Sequence, residues 1–502
     1  MKSDILIIGA GGAGLVSALS AYESGASVRV LTKEYPTRSQ TCMAQGGING
    51  VLSEENDSVS KHIEDTLKSA HNEADKKSVE ILCSNAKQSI EWLDSIGVPF
   101  SRTKDGKIAQ RKLGGASGVR ACYAKDYTGL KILHTLYDKV LQTNIEVENE
   151  KFLLELLKDK DGRVCGAKVL DIRTSQEQNY YAKAVILATG GYSKIYSSNT
   201  TNSKNATGDG VATALRCGAK LSGMEFVQFH PTALKNSSIL IGESARGEGG
   251  YLVNSDGKRF VDELAPRDVV ARAIDNELKN GKDVFIDIRH LGEEFIDKEL
   301  PQERKLSILY EGIDPTKELI PIKPAAHYSM GGVDVDSTCR TNLKGLFAVG
   351  ECANQKVHGA NRLGGNSLLE IVVFGRIAGK SAVEFAKDVE LKEVQTSLHV
   401  ESVLNYSNEV DFYKVKKELG ELLYENVGIV RTKKSLQKAK EYLQNIDITK
   451  MGVTDKSKVY NTNLMDFLEF VNMVEVSKAV VDGALSRDES CGAHFMGVED
   501  EN

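Results

Sequence analysis

The chain has little of what marks several large functional classes. It has no basic excess: 64 Lys and Arg stand against 70 Asp and Glu, a net charge of −6. With a pI near 6.0, it is not expected to bind nucleic acid, which usually calls for a basic face. No run of about 18 apolar residues occurs, so no membrane span is expected. The opening MKSDILIIGAGG enters a strand at once, without a charged leader and long apolar stretch, so no secretory signal is expected. The eight cysteines (Cys42, Cys83, Cys122, Cys165, Cys217, Cys339, Cys352 and Cys491) are scattered, with no C-x-x-C pair. That argues against a disulfide framework and against a zinc or iron–sulfur site in this chain. Reduced thiols in a cytoplasmic protein are the expectation. Repeats and low-complexity tracts are also absent.

What is present is length enough for about two to four domains in 502 residues. DILIIGAGGAGLVSALSAYESGASVRVLTK reads as strand, tight turn, small-residue helix and second strand, a βαβ unit. Its turn is G-x-G-x-x-G: Gly9, Gly11, Gly12 and Gly14 fall within or beside it. Between a strand and a helix this pattern points to a dinucleotide, with the pyrophosphate on the helix N-terminus. A nicotinamide site would want an acid at the end of the second strand. Thr32 and Lys33 stand there, with Glu34 just beyond. AVILATGG (184–191) and GLFAVGEC (345–352) are further strand-like runs ending in glycine, suited to buried parallel strands. They lie far apart, so the domain they build is expected to be interrupted. The expected division is 1–224 and 336–392 for the dinucleotide domain, 225–335 for an inserted domain and 393–502 for a helical one. The insert carries the extended run GGYLVNSDGKRF and the helical run PRDVVARAIDNELKNG. The last part carries VKKELGELLYENVGIV, KKSLQKAKEYLQNI and NLMDFLEFVNMVEVSKAVVDGAL.

Many blocks, in order, resemble the flavoprotein subunit family of succinate dehydrogenase and fumarate reductase, which includes L-aspartate oxidase. They are GAGGAGL, PTRSQT-MAQGG, ATGG, TGDGVATALRCGA, QFHPT, RGEGGYL, APRDVVARA, AAHYSMGG, GLFAVGE and HGANRLGGNSLL. The resemblance implies an α/β fold: a Rossmann-like FAD-binding domain interrupted by an α+β capping domain, then a C-terminal helical domain. It implies that Gly9, Gly11, Gly12 and Gly14 meet the FAD pyrophosphate and Thr32 and Lys33 the adenosine end. Ser39, Thr41, Gln45, Gly46 and Gly47 would line the isoalloxazine, and Asp209, Glu351, Ser367 and Leu368 complete the FAD contacts. His230, His327 and Arg362 match a clamp for a C4 dicarboxylate, whose two charges need buried cations and donors. Arg267 matches the proton donor, and Glu243 and Arg246 the relay that replaces its proton. The implied reaction passes a hydride from flavin N5 to one alkene carbon and a proton to the other.

The departures matter as much. Membrane-bound members read R-S-H-T, and that His carries the flavin covalently. Here the stretch is Arg38-Ser39-Gln40-Thr41. Gln40 has no imidazole nitrogen, so non-covalent FAD is expected, with fumarate reduction the favoured direction. L-Aspartate oxidase, the alternative, places a Glu for the substrate ammonium where this chain has Leu113. The family's T-E-G is Gly242-Glu243-Ser244, so a substrate-facing hydroxyl is missing unless Ser244 supplies it. The family's S-R-G-A-H near the C-terminus has Cys491 for Arg. This leaves open how an iron–sulfur electron-transfer subunit docks. Cytoplasmic location is expected, at the inner membrane face if such a partner carries it there.

Overall fold

The computed structural model describes residues 1–55, 57–396 and 400–498. Lys2–Ile8 is a strand whose Ile5, Leu6, Ile7 and Ile8 are all buried, as in a parallel strand covered on both faces. It pairs in parallel with Val28–Leu31 on one side and with Gln176–Leu187 on the other. Glu146–Glu148 extends the sheet beyond Val28–Leu31, and Leu346–Ala348 pairs with the end of Gln176–Leu187. The latter strand joins the parallel strands to an antiparallel pair within one sheet. Its first half runs antiparallel to Val164–Asp171, which pairs in turn with Lys151–Lys158. Helix Gly12–Glu23 packs on helix Asn366–Ala386 at close range: a Cβ on Gly379 would stand 2.6 Å from Ser17 O.

The insert forms a four-stranded antiparallel sheet in the order Val227–Leu234, Ile320–Ser329, Val284–Asp287, Tyr251–Asn254. The run GGYLVNSDGKRF yields only the short strand Tyr251–Asn254 before it turns back. Helix Arg267–Lys279 starts directly after Pro266, whose fixed φ suits a helix start. Leu252, Val270, Ile274, Ile286 and Ile322 share a core of their own.

The C-terminal helices are Phe412–Asn426, Lys433–Gln444 and Thr462–Leu485. They do not close a separate core. Phe412, Leu436, Phe467 and Phe470 share one cluster with Phe152, Val164 and Tyr180 of the antiparallel strands and with Phe229 of the insert. Amphipathic helices need an apolar partner, and that sheet face supplies it.

The C-terminal ends of Lys2–Ile8, Val28–Leu31, Gln176–Leu187 and Leu346–Ala348 open onto one cleft, where the winding of the parallel sheet reverses. Ligands bind at such switch points. The insert covers the far end of this cleft.

Candidate active site

At one end the backbone makes the site. Gly9 has φ +110°, and a Cβ there would stand 2.1 Å from Ala188 O. Gly14 is tighter still, with a Cβ 1.9 Å from Gly9 O. It presses helix onto strand and does not reach the cleft, unlike the pyrophosphate contact expected of it. Gly11 differs: a Cβ there would meet no protein atom closer than 3.6 Å, among the cleft-lining Ser39 and Thr41. The fold itself does not demand glycine at 11, whereas a ligand passing close to the backbone does. Helix Gly12–Glu23 has no side-chain N-cap, leaving first-turn N–H groups and the positive dipole end for an anion. Thr41 Oγ1 accepts from Gly12 N at 3.0 Å and ties the 37–47 stretch to this loop. Ser39 Oγ and Thr189 Oγ1 line the cleft, buried and without partners among the described residues. Gly46, Gly47, Glu351, Ser367 and Leu368 line it as well. A glycine cradle, a helix N-terminus without an N-cap side chain and orphaned hydroxyls along one groove fit a flavin dinucleotide.

Thr32 and Lys33 line the distal part. Lys33 Nζ donates to Asp209 Oδ2 and Glu469 Oε1, each at 2.7 Å, and to Thr207 Oγ1 at 3.0 Å. Burial opposes its charge, but Asp209 and Glu469 hold it above the ordinary lysine value. Glu469 belongs to Thr462–Leu485, so the C-terminal helix anchors this wall. Gln40 is held at both ends of its carboxamide: Nε2 donates to Asn202 Oδ1 at 3.1 Å, and Oε1 accepts from Ser203 N at 2.9 Å.

At the other end, charged and aromatic side chains make the site. His230 and His327 sit on adjacent strands of the inserted sheet, ring centroids 4.9 Å apart. The Thr232 hydroxyl donates to Ile241 O, while its N–H donates to His230 Nδ1 at 3.2 Å. In the tautomer that accepts this N–H, the ring proton sits on Nε2. Burial, then Arg267, His327 and Arg246, push His230 well below the ordinary histidine value. Burial, then Arg267 and Arg362, do the same to His327. Both rings are neutral at pH 7.

Arg362 is buried with its guanidinium 4.2 Å from the Tyr328 ring centroid. Its backbone carbonyl accepts from Gln228 Nε2 at 2.8 Å, but its guanidinium makes no hydrogen bond to any described residue, and its Nε is buried without a partner among them. Burial and Arg267 lower it to about 10, so it is still charged at neutral pH. An unpaired buried guanidinium is costly, and an anion relieves that cost. Arg267 Nε donates to Glu243 Oε2 at 2.9 Å, joined by Nη2 on the same oxygen, and Nη1 donates to Gln228 Oε1 at 3.1 Å. Burial would raise Glu243, but Arg267 and Arg246 hold it below the ordinary carboxylate value. Gly114 and Gly364 make room: a Cβ at either would stand 2.5 or 2.7 Å from a Glu243 carboxylate oxygen. Arg246 does not line the cleft; it is buried, with Nη1 donating to Glu263 O at 2.6 Å and Nε and Nη2 unpartnered among the described residues. The guanidiniums of Arg246, Arg267 and Arg362 thus outnumber the ionised carboxylate of Glu243, an excess that suits a dianion.

Leu113 lines the cleft and is buried. Gly242 lines it, but Ser244 does not supply the missing hydroxyl: fully buried, its Oγ donates to Glu303 Oε1 at 2.9 Å. Sequence reasoning passed over Tyr328, Gln228 and Glu303. Tyr328 follows His327 directly, and strand alternation alone sets it on the other face. Gln228 and Glu303 had no local signal, because they meet the site only through the fold.

A model described as FAD binding domain matches residues 4–368, and one described as fumarate reductase flavoprotein C-term matches residues 416–498. The chain is 40% identical to the 8-methylmenaquinol:fumarate reductase flavoprotein subunit of Wolinella succinogenes, over 98% of this chain and 85% of that protein. It is 36% identical to the succinate dehydrogenase flavoprotein subunit of Rickettsia bellii, over 98% of this chain and 89% of that protein. A solved quinol fumarate reductase chain of E. coli, carrying a Glu-to-Gln exchange, superposes with a TM-score of 0.94. It is 36% identical and covers 100% of this chain and 92% of that one.

Proposed function

The chain belongs to the fumarate reductase and succinate dehydrogenase flavoprotein family, and from that premise we propose how its residues carry the reaction. It is an FAD-dependent oxidoreductase acting on the fumarate–succinate couple. When bound, the flavin supplies or takes the hydride equivalent. Arg362, His230 and His327 hold the substrate carboxylates, and Arg267 gives the proton to the alkene carbon. Arginine holds its proton tightly, so a donor of this kind works only if the proton is replaced at once. Glu243, hydrogen-bonded to Arg267, returns it, with Arg246 next in the relay.

The observation that carries this reading is the Arg267–Glu243 pair beside Arg362, a buried cation whose guanidinium has no hydrogen-bond partner among the described residues. Leu113 supports a dicarboxylate over an amino acid, because an apolar side chain offers nothing to an ammonium group. The test is Arg267→Lys assayed with fumarate and a reduced dye. Near-complete loss of turnover with flavin retained supports the role; retained turnover refutes it.

The FAD is held without a covalent bond, and fumarate reduction is the favoured direction. Gln40 supports this, with its carboxamide engaged by Asn202 and Ser203. Acid precipitation should release all flavin to the supernatant; flavin left in the pellet would contradict it. Electrons reach the flavin through a partner subunit bearing iron–sulfur clusters. Support comes from relatives named as subunits and as a quinol fumarate reductase. Among the described residues no helix is long and apolar enough to cross a membrane, so any membrane attachment of such an assembly would run through partners.

A further inference from the structure

Next to the substrate end lies an acid that the proposed reaction does not use. Glu303, on helix Pro301–Glu311, is fully buried. Its Oε1 accepts from Gly242 N and from Ser244 Oγ, each at 2.9 Å, and its Oε2 has no partner among the described residues. Gln45 Oε1 is also buried without a partner among them. Both groups crowd one point: a Cβ on Gly242 would stand 2.3 Å from Gln45 Oε1 and 2.7 Å from Glu303 Oε1. This explains why position 242 is glycine. Buried acceptor oxygens facing one point without a hydrogen between them are unfavourable, and one proton on Glu303 resolves the conflict.

We propose that Glu303 is a positioning residue that keeps its proton: it donates to Gln45 Oε1 while accepting from Gly242 and Ser244, and so turns the Gln45 amino group into the cleft. The Gly242 and Ser244 departures then have a common cause. Glycine admits the two side chains, and serine binds the acid. The same contacts fix the first turn of Glu243–Gly247, the short helix that carries the proposed relay.

The charged surroundings favour the neutral acid. Asp126, also buried, accepts from the N–H groups of Gln302 and Glu303 on the opposite side. Arg111 opposes it weakly, since it is committed to Gly46 O at 3.0 Å and to Glu248 at 3.5 Å. Glu243 lies one residue from Ser244 and is already ionised. Burial and Asp126 push Glu303 up to about 8. Above that range the proton leaves, and Gln45 loses its donor.

The first test does not rest on the reaction proposed above. Infrared spectra of the holoenzyme should show a protonated-carboxyl C=O band at neutral pH that titrates away near pH 8. Glu303→Gln should remove it, whereas Asp126→Asn should keep a band from Glu303 but move its titration to lower pH. A band untouched by Glu303→Gln, or absent at neutral pH, overturns the proposal. The second test does rest on that reaction. Wild-type kcat/KM for fumarate should fall across the same range, and Glu303→Gln, which is permanently neutral, should lose that fall. Glu303→Leu should lower kcat roughly ten-fold at neutral pH by orphaning Gln45 and Ser244. An unchanged alkaline fall in Glu303→Gln counts against the proposal. If fumarate is not turned over at all, the functional reading fails while the infrared result still decides the role of Glu303.

Discussion

The two ends of the cleft hold charge by opposite means. At the dinucleotide end, recognition comes from backbone: glycines at 9 and 11, an uncapped helix start, and a lysine already neutralised by Asp209 and Glu469. At the proposed dicarboxylate end it comes from side chains that the fold buries at a cost, above all Arg362, whose guanidinium has no hydrogen-bond partner among the described residues. At one end the charge of Lys33 is already paired, and buried hydroxyls are what await a ligand. The other is electrostatically incomplete without one, and that incompleteness is a source of affinity for a dianion.

The largest effect expected is at Arg267. Replacement by Lys keeps a charge but loses the fork that grips Glu243 and Gln228, and kcat should fall about 10³-fold. The flavin spectrum should stay unchanged, since this residue belongs to the other end. Next come two glycines that look alike in sequence. Gly9→Ala forces a Cβ into Ala188 O at positive φ, and should destabilise the flavin-free protein by roughly 2 kcal/mol or more. Gly11→Ala should leave the flavin-free melting temperature in place and weaken FAD binding about ten-fold or more. Equal destabilisation by both would break the distinction between packing and cradling glycines.

Arg362→Met sharpens the contrast. KM for fumarate should rise about 10–100-fold as a charge-assisted contact disappears. The free protein should be no less stable, because an unpaired buried charge has been removed. A large loss of stability would mean that Arg362 serves the fold rather than the substrate. The smallest effect concerns pH. His62 and His494 fall to about 4 in the folded chain, and His230 and His327 also lie below the ordinary value. Burial is the leading cause for each. The unfolded chain takes up these protons below about pH 6.5, while the folded chain refuses them. Stability is therefore full above that pH and falls as pH drops towards 4, by about 1.4 kcal/mol per pH unit for each histidine. Thermal melts between pH 7 and 5 check the sign; a midpoint that rose on acidification would contradict it.

The same contrast explains what could be read in the sequence. The dinucleotide end was legible because its parts are local: strand, G-x-G-x-x-G and helix follow one another within residues 2–23. Gly14, the third glycine of the motif, packs helix on strand as that position of the pattern is expected to, while Gly11 lines the cleft. The dicarboxylate end draws His230, Arg267, His327 and Arg362 from distant segments, and only the resemblance gathered them in advance. Residues without a matching block, such as Gln228 and Glu303, stayed hidden. The charged periodic helices near the C-terminus were legible as helices, but not as part of a shared core, because a helix face does not name its partner.

The account rests on the substrate end being a dicarboxylate site that passes flavin electrons to an alkene. The most direct test is anaerobic: reduce the purified holoenzyme with dithionite, add fumarate and follow the flavin absorbance, then offer L-aspartate to oxidised enzyme. Rapid reoxidation by fumarate, with no bleaching by aspartate, is the predicted result. Bleaching by aspartate with no reoxidation by fumarate would contradict the account and assign the buried cations to an amino acid instead.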